Sequence, residues 1–199
     1  MKQFVRNVKI IGTGSYVPEL IYTNEYLETI VPTNAKWIED NLGIKERRIA
    51  LPEQATSDLA SEAGLKAIEN AGLSPNDIEL IIVATATPDR LAPSTAAIVQ
   101  DKIKAYKAVA FDLAAVCSGF LFSISAASQF IATGIYNNAL VIGADTFSKI
   151  TDWSNINCVF FGDGAGAAVL THTETDSGFL AFRLYTDGRG KWNFTIPGG

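Results

Sequence analysis

Cys117 is the side chain with the most chemical promise. It stands in Ala114-Ala115-Val116-Cys117-Ser118-Gly119-Phe120, between the apolar run Lys107–Leu113 and a segment poor in charge that ends near Thr133-Gly134. The run before it is short and β-compatible, which predicts a buried strand. The segment after it carries almost no charge on any helical face, which predicts a buried helix. Cys117 then falls where a central strand turns into a helix. Unpaired backbone N–H groups and the positive end of the helix dipole favour a thiolate there, and the thiolate is the nucleophile. The competing reading is an inert packing thiol, since free Cys is among the most buried residue types. The strand-to-helix corner resembles other nucleophile elbows.

The remaining groups offer less. Asp145 and Asp163 could serve as general acid or metal ligand, but carboxylates beside Gly-rich turns more often accept backbone N–H groups. Two Cys, one His and no Cys-x-x-Cys argue against a zinc site and against a disulfide framework, and point to a reduced compartment. The single His172 reads as strand-end or turn structure. Gly12-x-Gly14 is followed by Val17-Pro18, so the third Gly of a dinucleotide fingerprint is missing and a tight turn is the better reading. Gly162 to Gly166 lacks the Gly-Lys-Ser/Thr of a phosphate loop.

The elements that must position Cys117 follow from pattern. The chain has 199 residues, 48% hydrophobic and 19% charged, with net charge −5. That is an ordinary globular composition with ample length for a core. No basic stripe favours nucleic acid. No apolar run reaches the ~18 residues of a membrane span, and Met1–Arg6 lacks a secretory apolar region, so a cytoplasmic protein is expected. Val8–Gly14 reads as a first strand. Thr23 caps a short helix, and a second runs from Ala35 to Asn41 with Gly43 ending it. Thr56-Ser57-Asp58 opens a longer helix stopped by Gly72. Glu79–Thr85 reads as a buried strand, Ser94–Lys104 as a helix, and Asn138–Ala144 as a strand. Gly166–Thr171 and Gly178–Tyr185 read as two more strands able to pair as a hairpin. Strand–helix alternation implies a parallel sheet covered on both faces.

Several ordered segments then resemble one family. Leu113–Phe120 is similar to the active-site cysteine segment of β-ketoacyl-acyl-carrier-protein synthase III, in the thiolase superfamily. Trp37-Ile38, Gly43-Ile44 and Arg47-Arg48-Ile49 resemble its N-terminal signature. Ala84–Asp89 with Pro93-Ser94 resembles its second strand and loop, and Phe161–Ala167 a family hallmark. Matching segments run from about Val8 to Pro197-Gly198-Gly199. The resemblance implies an α/β fold, a thiolase-like half with a mostly parallel, mixed five-stranded sheet and helices on both faces. It implies an N-terminal domain over 1–199, the family's C-terminal half lying outside this chain.

For function, the resemblance implies a decarboxylating condensing enzyme of fatty-acid initiation. Cys117 would take an acyl group from acyl-coenzyme A or acyl-carrier protein and pass it to malonyl-carrier protein. The resemblance implies no metal and no cofactor, and a homodimer. The His and Asn of the mechanism would lie outside this chain. Trp37 and Thr33 would meet the nucleotide at the tunnel mouth. Arg47 and Arg48, in a short charged patch, would meet phosphopantetheine or an acidic carrier. Ala92 would border the acyl pocket across the dimer interface, where its small side chain leaves room for a longer or bulkier group unless Leu91 or Phe120 refills the space. The sequence departs from the family at Asn41 and at about Asn155, where arginines are usual. Their loss removes charge-assisted phosphate contacts and a stacking plane. Coenzyme A would bind more weakly, or the donor would arrive on a carrier protein. Trp153 could stack instead, or belong to the core. The alternatives are a condensing enzyme or acyltransferase of specialised metabolism, or a non-catalytic dimerising fragment.

Overall fold

The computed structural model describes residues 6–196. Met1–Val5 and Pro197–Gly199, where the family resemblance ends, lie outside the described residues. The elements are β1 (Asn7–Tyr16), β2 (Leu20–Thr23), α1 (Asn24–Glu28), α2 (Ala35–Leu42), β3 (Glu46–Ile49), α3 (Thr56–Asn70) and β4 (Leu80–Ala84). They continue with α4 (Thr95–Lys102), β5 (Val109–Leu113), α5 (Gly119–Ala132), β6 (Asn138–Thr146) and β7 (Asp163–Thr173).

A five-stranded sheet has the order β1-β7-β6-β4-β5. β4 pairs parallel with both β5 and β6, while β7 pairs antiparallel with β6 and with β1. The sheet is therefore mixed: β1, β4, β5 and β6 point one way and β7 alone opposes them. Every residue of β4 is buried, because successive side chains face opposite covered sides. Ile81 and Val83 join α3 and α4 in one core, and Leu80 and Ile82 join α5 in the other. β2 and β3 form a separate antiparallel pair. With α1 and α2 they make a small unit whose core is Leu27, Val31, Ile38, Cys158 and Val159.

Local signals set the helix ends. Thr23 Oγ1 accepts the Tyr26 N–H at 3.2 Å, and Asn34 Oδ1 accepts the Trp37 N–H at 2.9 Å. Gly43 takes the left-handed conformation that ends α2. Asp58 reaches back to the Ala55 N–H at 2.8 Å at the start of α3.

Three expectations are corrected. Gly178–Tyr185 forms no strand. Both edges of β7 are already taken by β1 and β6, so no hairpin partner can join it. Phe179 and Phe182 instead pack against the α5 core, and the Phe179 N–H bonds Val8 O at 2.8 Å. The β5 run is not buried: β5 is an edge strand and Val109 is 48% exposed. Nor is α5 covered all round. Ile124, Ala127 and Ile131 face the sheet, while Leu121 is 63% exposed.

β1 and α3 approach closely because β1 carries glycines. A methyl at Gly12 would lie 2.5 Å from Ala71 N, and one at Gly14 2.5 Å from Ala67 N. Both contacts are with helix backbone, which cannot step aside as a side chain can. Gly14→Ala is expected to lower unfolding stability by about 3 kcal/mol, the upper range of overpacking costs. Urea denaturation followed by circular dichroism measures it; a loss under about 1 kcal/mol would contradict this packing.

Candidate active site

The turn that carries Cys117 is strained. After β5 the chain makes a short 3-10 turn over Val116–Ser118, and α5 begins at Gly119. Val116 has φ 46°, a conformation that a β-branched residue rarely adopts. Cys117 is exposed on this turn. A strained strand-to-helix turn that presents a nucleophile outward is the geometry of a nucleophile elbow.

Small residues seat the turn on the sheet. A methyl at Gly119 would lie 3.0 Å from the Ala84 side chain. One at Gly143 would lie 3.3 Å from Phe120. Phe120 thus packs down over β6 and belongs to the seat of α5. Phe122, which sequence reading missed, lines a groove of 610 Å³ with Leu113, Ala115, Val116 and Tyr185. The signal was available only as helical phase: two positions along, a helix side chain turns away from its neighbour's face.

The unit of β2, β3, α1 and α2 places the other candidates. Trp37 is 50% exposed on the outer face of α2. Its chain neighbour Ile38 packs inward against Cys158 and Val159. Thr33 lies just before α2, half-buried, its N–H bonded to Val31 O at 2.8 Å. Ala92 is exposed with Leu91 in the loop before α4.

Arg47 is the main correction. The resemblance offers it as a contact for phosphopantetheine or an acidic carrier, but it is 4% exposed. Its Nε donates to Val159 O at 2.8 Å, and Nη1 donates to Asn24 Oδ1. Asn24 in turn donates to Ile44 O at 2.8 Å. A phosphate therefore cannot reach this guanidinium; it ties α1, β3 and the 156–160 turn together. Arg48 is partly exposed, bonded to Glu46 at 2.8 Å and to Pro18 O at 3.2 Å. Trp153 is also committed to structure: its Nε1–H donates to Ser148 O at 3.0 Å, and Tyr22 meets its ring edge-on.

A cleft of 290 Å³ is lined by Phe147, Asp152, Asn155, Asn157, Cys158 and Phe161 among others. Phe147 and Phe161 stack at 5.3 Å. No Lys or Arg among the described residues lines it. Asp152 is held below the usual carboxylate range by bonds from the Ser154 hydroxyl and N–H. None of the clefts described here is lined by both Trp37 and Cys117.

The two weighed carboxylates both act on backbone. Asp163 accepts from the N–H of Ala50 at 2.6 Å and of Ser148 at 2.8 Å. Asp145 accepts from the N–H of Ala86 at 2.8 Å and of Thr87 at 3.1 Å. Burial pushes the Asp145 carboxyl up, against the pull of these bonds. His172 lies half-buried within β7, opposite Val8. Among the described residues, no group of three His, Cys, Asp or Glu side chains could hold a metal ion. No helix among them is long and apolar enough to cross a membrane.

The two thiols should differ in reactivity. Cys158 is buried, and that burial pushes its thiol up, with Arg47 pulling the other way. At any pH below its raised value it holds less thiolate than an ordinary Cys. Iodoacetamide at pH 8 is expected to label Cys117 well before Cys158, because Cys117 is exposed and Cys158 is buried. Peptide mapping reads the sites; early labelling of Cys158 in the folded protein would contradict the arrangement.

Comparison with known proteins agrees with this architecture. The profile of the family described as 3-oxoacyl-[acyl-carrier-protein (ACP)] synthase III matches residues 111–188, from β5 through Cys117 and β7. The beta-ketoacyl-[acyl-carrier-protein] synthase III of Desulfitobacterium hafniense (strain DSM 10664 / DCB-2) is 53% identical over 97% of this chain and 59% of its own length. The crystal structure of 3-oxoacyl-[acyl-carrier-protein] synthase III from Aquifex aeolicus VF5 superposes with a TM-score of 0.89. It is 48% identical, with 92% of this chain and 59% of that one covered. The priming beta-ketosynthase of the R1128 polyketide biosynthetic pathway is 31% identical with a TM-score of 0.84, covering 88% of this chain and 53% of that one. The chain thus spans 59% of the length of such relatives, and over that span its sequence and its thiolase-like α/β fold are similar to those of the 3-oxoacyl-[acyl-carrier-protein] synthase III family.

Proposed function

We propose that this chain is the nucleophile-bearing part of a decarboxylating condensing enzyme that initiates fatty-acid synthesis. The observation that carries the reading is Cys117, exposed on a strained turn at the C-terminal end of a parallel strand. The Cys117 thiolate attacks the carbonyl of an acyl thioester, the carbonyl–sulfur bond to the carrier breaks, and the carrier leaves as its thiolate, which takes a proton from water. A malonyl thioester then loses carbon dioxide, and its enolate carbon attacks the acyl-Cys117 carbonyl, releasing the Cys117 thiolate. The groups that stabilise the enolate are assigned to the part of the family fold that this chain does not represent. A cytoplasmic homodimer fits the reading. The exposed edge of β5, with Val109, Val116 and Leu121 on the surface, would pair with a second copy and bring Ala92 to its acyl pocket.

A second reading keeps the chemistry and changes the donor. Among the described residues, the cleft at Phe147 and Phe161 is lined by a carboxylate, Asp152, and by no Lys or Arg. Asn41 is bonded to Trp37 O at 2.8 Å, and Asn155 to the Asn157 N–H at 2.9 Å. This environment suits a neutral amide-bearing arm presented by an acyl-carrier protein better than a nucleotide with three phosphates. A priming condensing enzyme of specialised metabolism would use such a donor.

Intact-mass spectrometry after incubation with C2 to C12 acyl thioesters, on coenzyme A and on carrier protein, tests both readings. A stable adduct is expected that is absent from Cys117→Ala. Faster loading from the carrier would select the second reading. No adduct with any donor would contradict both and leave a dimerising unit. Ala92→Phe is expected to shift loading toward short chains by about tenfold or more, as pocket methylenes do. An unchanged chain-length profile would remove Ala92 from the acyl pocket.

A further inference from the structure

β5 is an edge strand, so its ladder bonds come from β4 alone. One row of its backbone N–H and C=O groups has no strand partner, and the ladder holds its end from one side only. Yet this end must hold still, because the Cys117 turn follows within a few residues. Asp112, the penultimate residue of β5, supplies a second hold. One carboxylate oxygen accepts the Thr95 N–H and the other the Ala96 N–H, each at 2.7 Å. These are the first two N–H groups of α4, and both residues are fully buried. The helix itself has no carbonyl to offer them, and bonds to a carboxylate are among the stronger ones.

The register shows what this brace grips. Asp112 stands opposite Val83, and Leu113 opposite Ala84. Val83 faces the core under α3 and α4, while Leu113 packs against the core under α5. Consecutive residues of one strand thus hold both helical layers. Leu113 O lies 3.9 Å from where a methyl on Gly119 would stand, so the end of β5 meets the start of α5. Between them Val116 sits at φ 46° with its side chain exposed. Packing of that side chain does little to hold the backbone there. A residue in such a region keeps its conformation only where the surroundings over-determine it, so both ends of the turn must be fixed. The seat on Ala84 and Gly143 fixes the α5 end, and Asp112 fixes the β5 end.

We propose that Asp112 is a positioning residue for Cys117: its brace to α4 holds the end of β5 and so keeps Val116 in the conformation that presents the thiol. The inference rests on the reading that Cys117 takes an acyl group. Asp112 does not touch that group; it acts through the strand and the turn.

The test uses two readouts. One is the rate of acyl loading on Cys117 by intact mass. The other is hydrogen exchange at the Ser118 and Gly119 amides, which bond Ala115 O and Val116 O. Asp112→Ala is expected to slow loading by about tenfold or more, as misplacement at a reacting centre does, and to speed exchange at both amides. Asp112→Asn, which keeps one acceptor oxygen, is expected to fall between. If Asp112→Ala does not fold, Thr95→Pro removes one donor N–H at the first helical position, where proline is accepted, and is read in the same way. A double-mutant cycle with Val116→Gly separates positioning from capping. Glycine adopts a positive φ without steric cost. In that background the effect of losing the brace on loading is expected to fall below about threefold, because coupled residues are not additive. A residue that only caps α4 would lower stability equally in both backgrounds and leave loading by the folded protein unchanged. Wild-type loading and exchange in folded Asp112→Ala, or an equal loss in both backgrounds, overturns the proposal. Wild-type protein that takes no acyl group from any donor overturns the acyl-loading reading instead. Exchange then decides the brace alone, and unchanged exchange in Asp112→Ala overturns it.

Discussion

The close seat of α5 on the sheet is the constraint on which the rest depends. Gly119 meets Ala84 at the end of β4, and Gly143 of β6 receives Phe120. At these crossings a single added methyl would have to displace its neighbour, because packed interiors leave few voids larger than a water molecule. The start of α5 is thereby fixed over the C-terminal ends of β4, β5 and β6, and the strain at Val116 is the local consequence. β5 must end and α5 must begin within a few residues. Cys117 is what that short turn leaves facing outward.

Much of this could be read from sequence, and the reasons are physical. β4 is buried on both faces, so its unbroken apolar run left little choice of reading. Thr23, Asn34 and Gly43 act within a few residues of themselves, and local chemistry is legible locally. The failures all needed knowledge of neighbours. Gly178–Tyr185 has strand-like composition, but β7 had no free edge to offer it. The run into β5 is apolar, yet among the described residues no strand pairs with its outer edge. Arg47 sits in a charged string beside Arg48, and only the fold shows that one of the pair turns inward to Val159 and Asn24. Asp145 caps a turn as its type suggests, but its partners lie in the loop after β4, distant in sequence, and could not be named.

Arg47 and Asp152 together change the picture of how a donor would meet this surface. Arg47 turns inward and joins β3 to Asn24 and to Val159 O, while Asp152 is occupied by the Ser154 hydroxyl and N–H. The cleft keeps two stacked phenyl rings, several amides and one ionised carboxylate. Its chemistry is that of an apolar channel with neutral hydrogen-bonding groups. Buried guanidinium groups that bond carbonyl and amide oxygens cost desolvation, and they repay it by fixing one arrangement of the segments they join.

The most direct test of the account is the rate of acyl loading on Cys117 in Gly119→Ala, compared with wild type at matched folding. If the seat of α5 places the nucleophile, the added methyl against Ala84 should slow loading markedly, toward the roughly hundredfold that a misplacement of ~1 Å costs at a reacting centre. Thermal melting should fall only modestly. Loading at the wild-type rate in a folded variant would contradict the account, and Cys117 would then owe its reactivity to something other than the strand-to-helix turn.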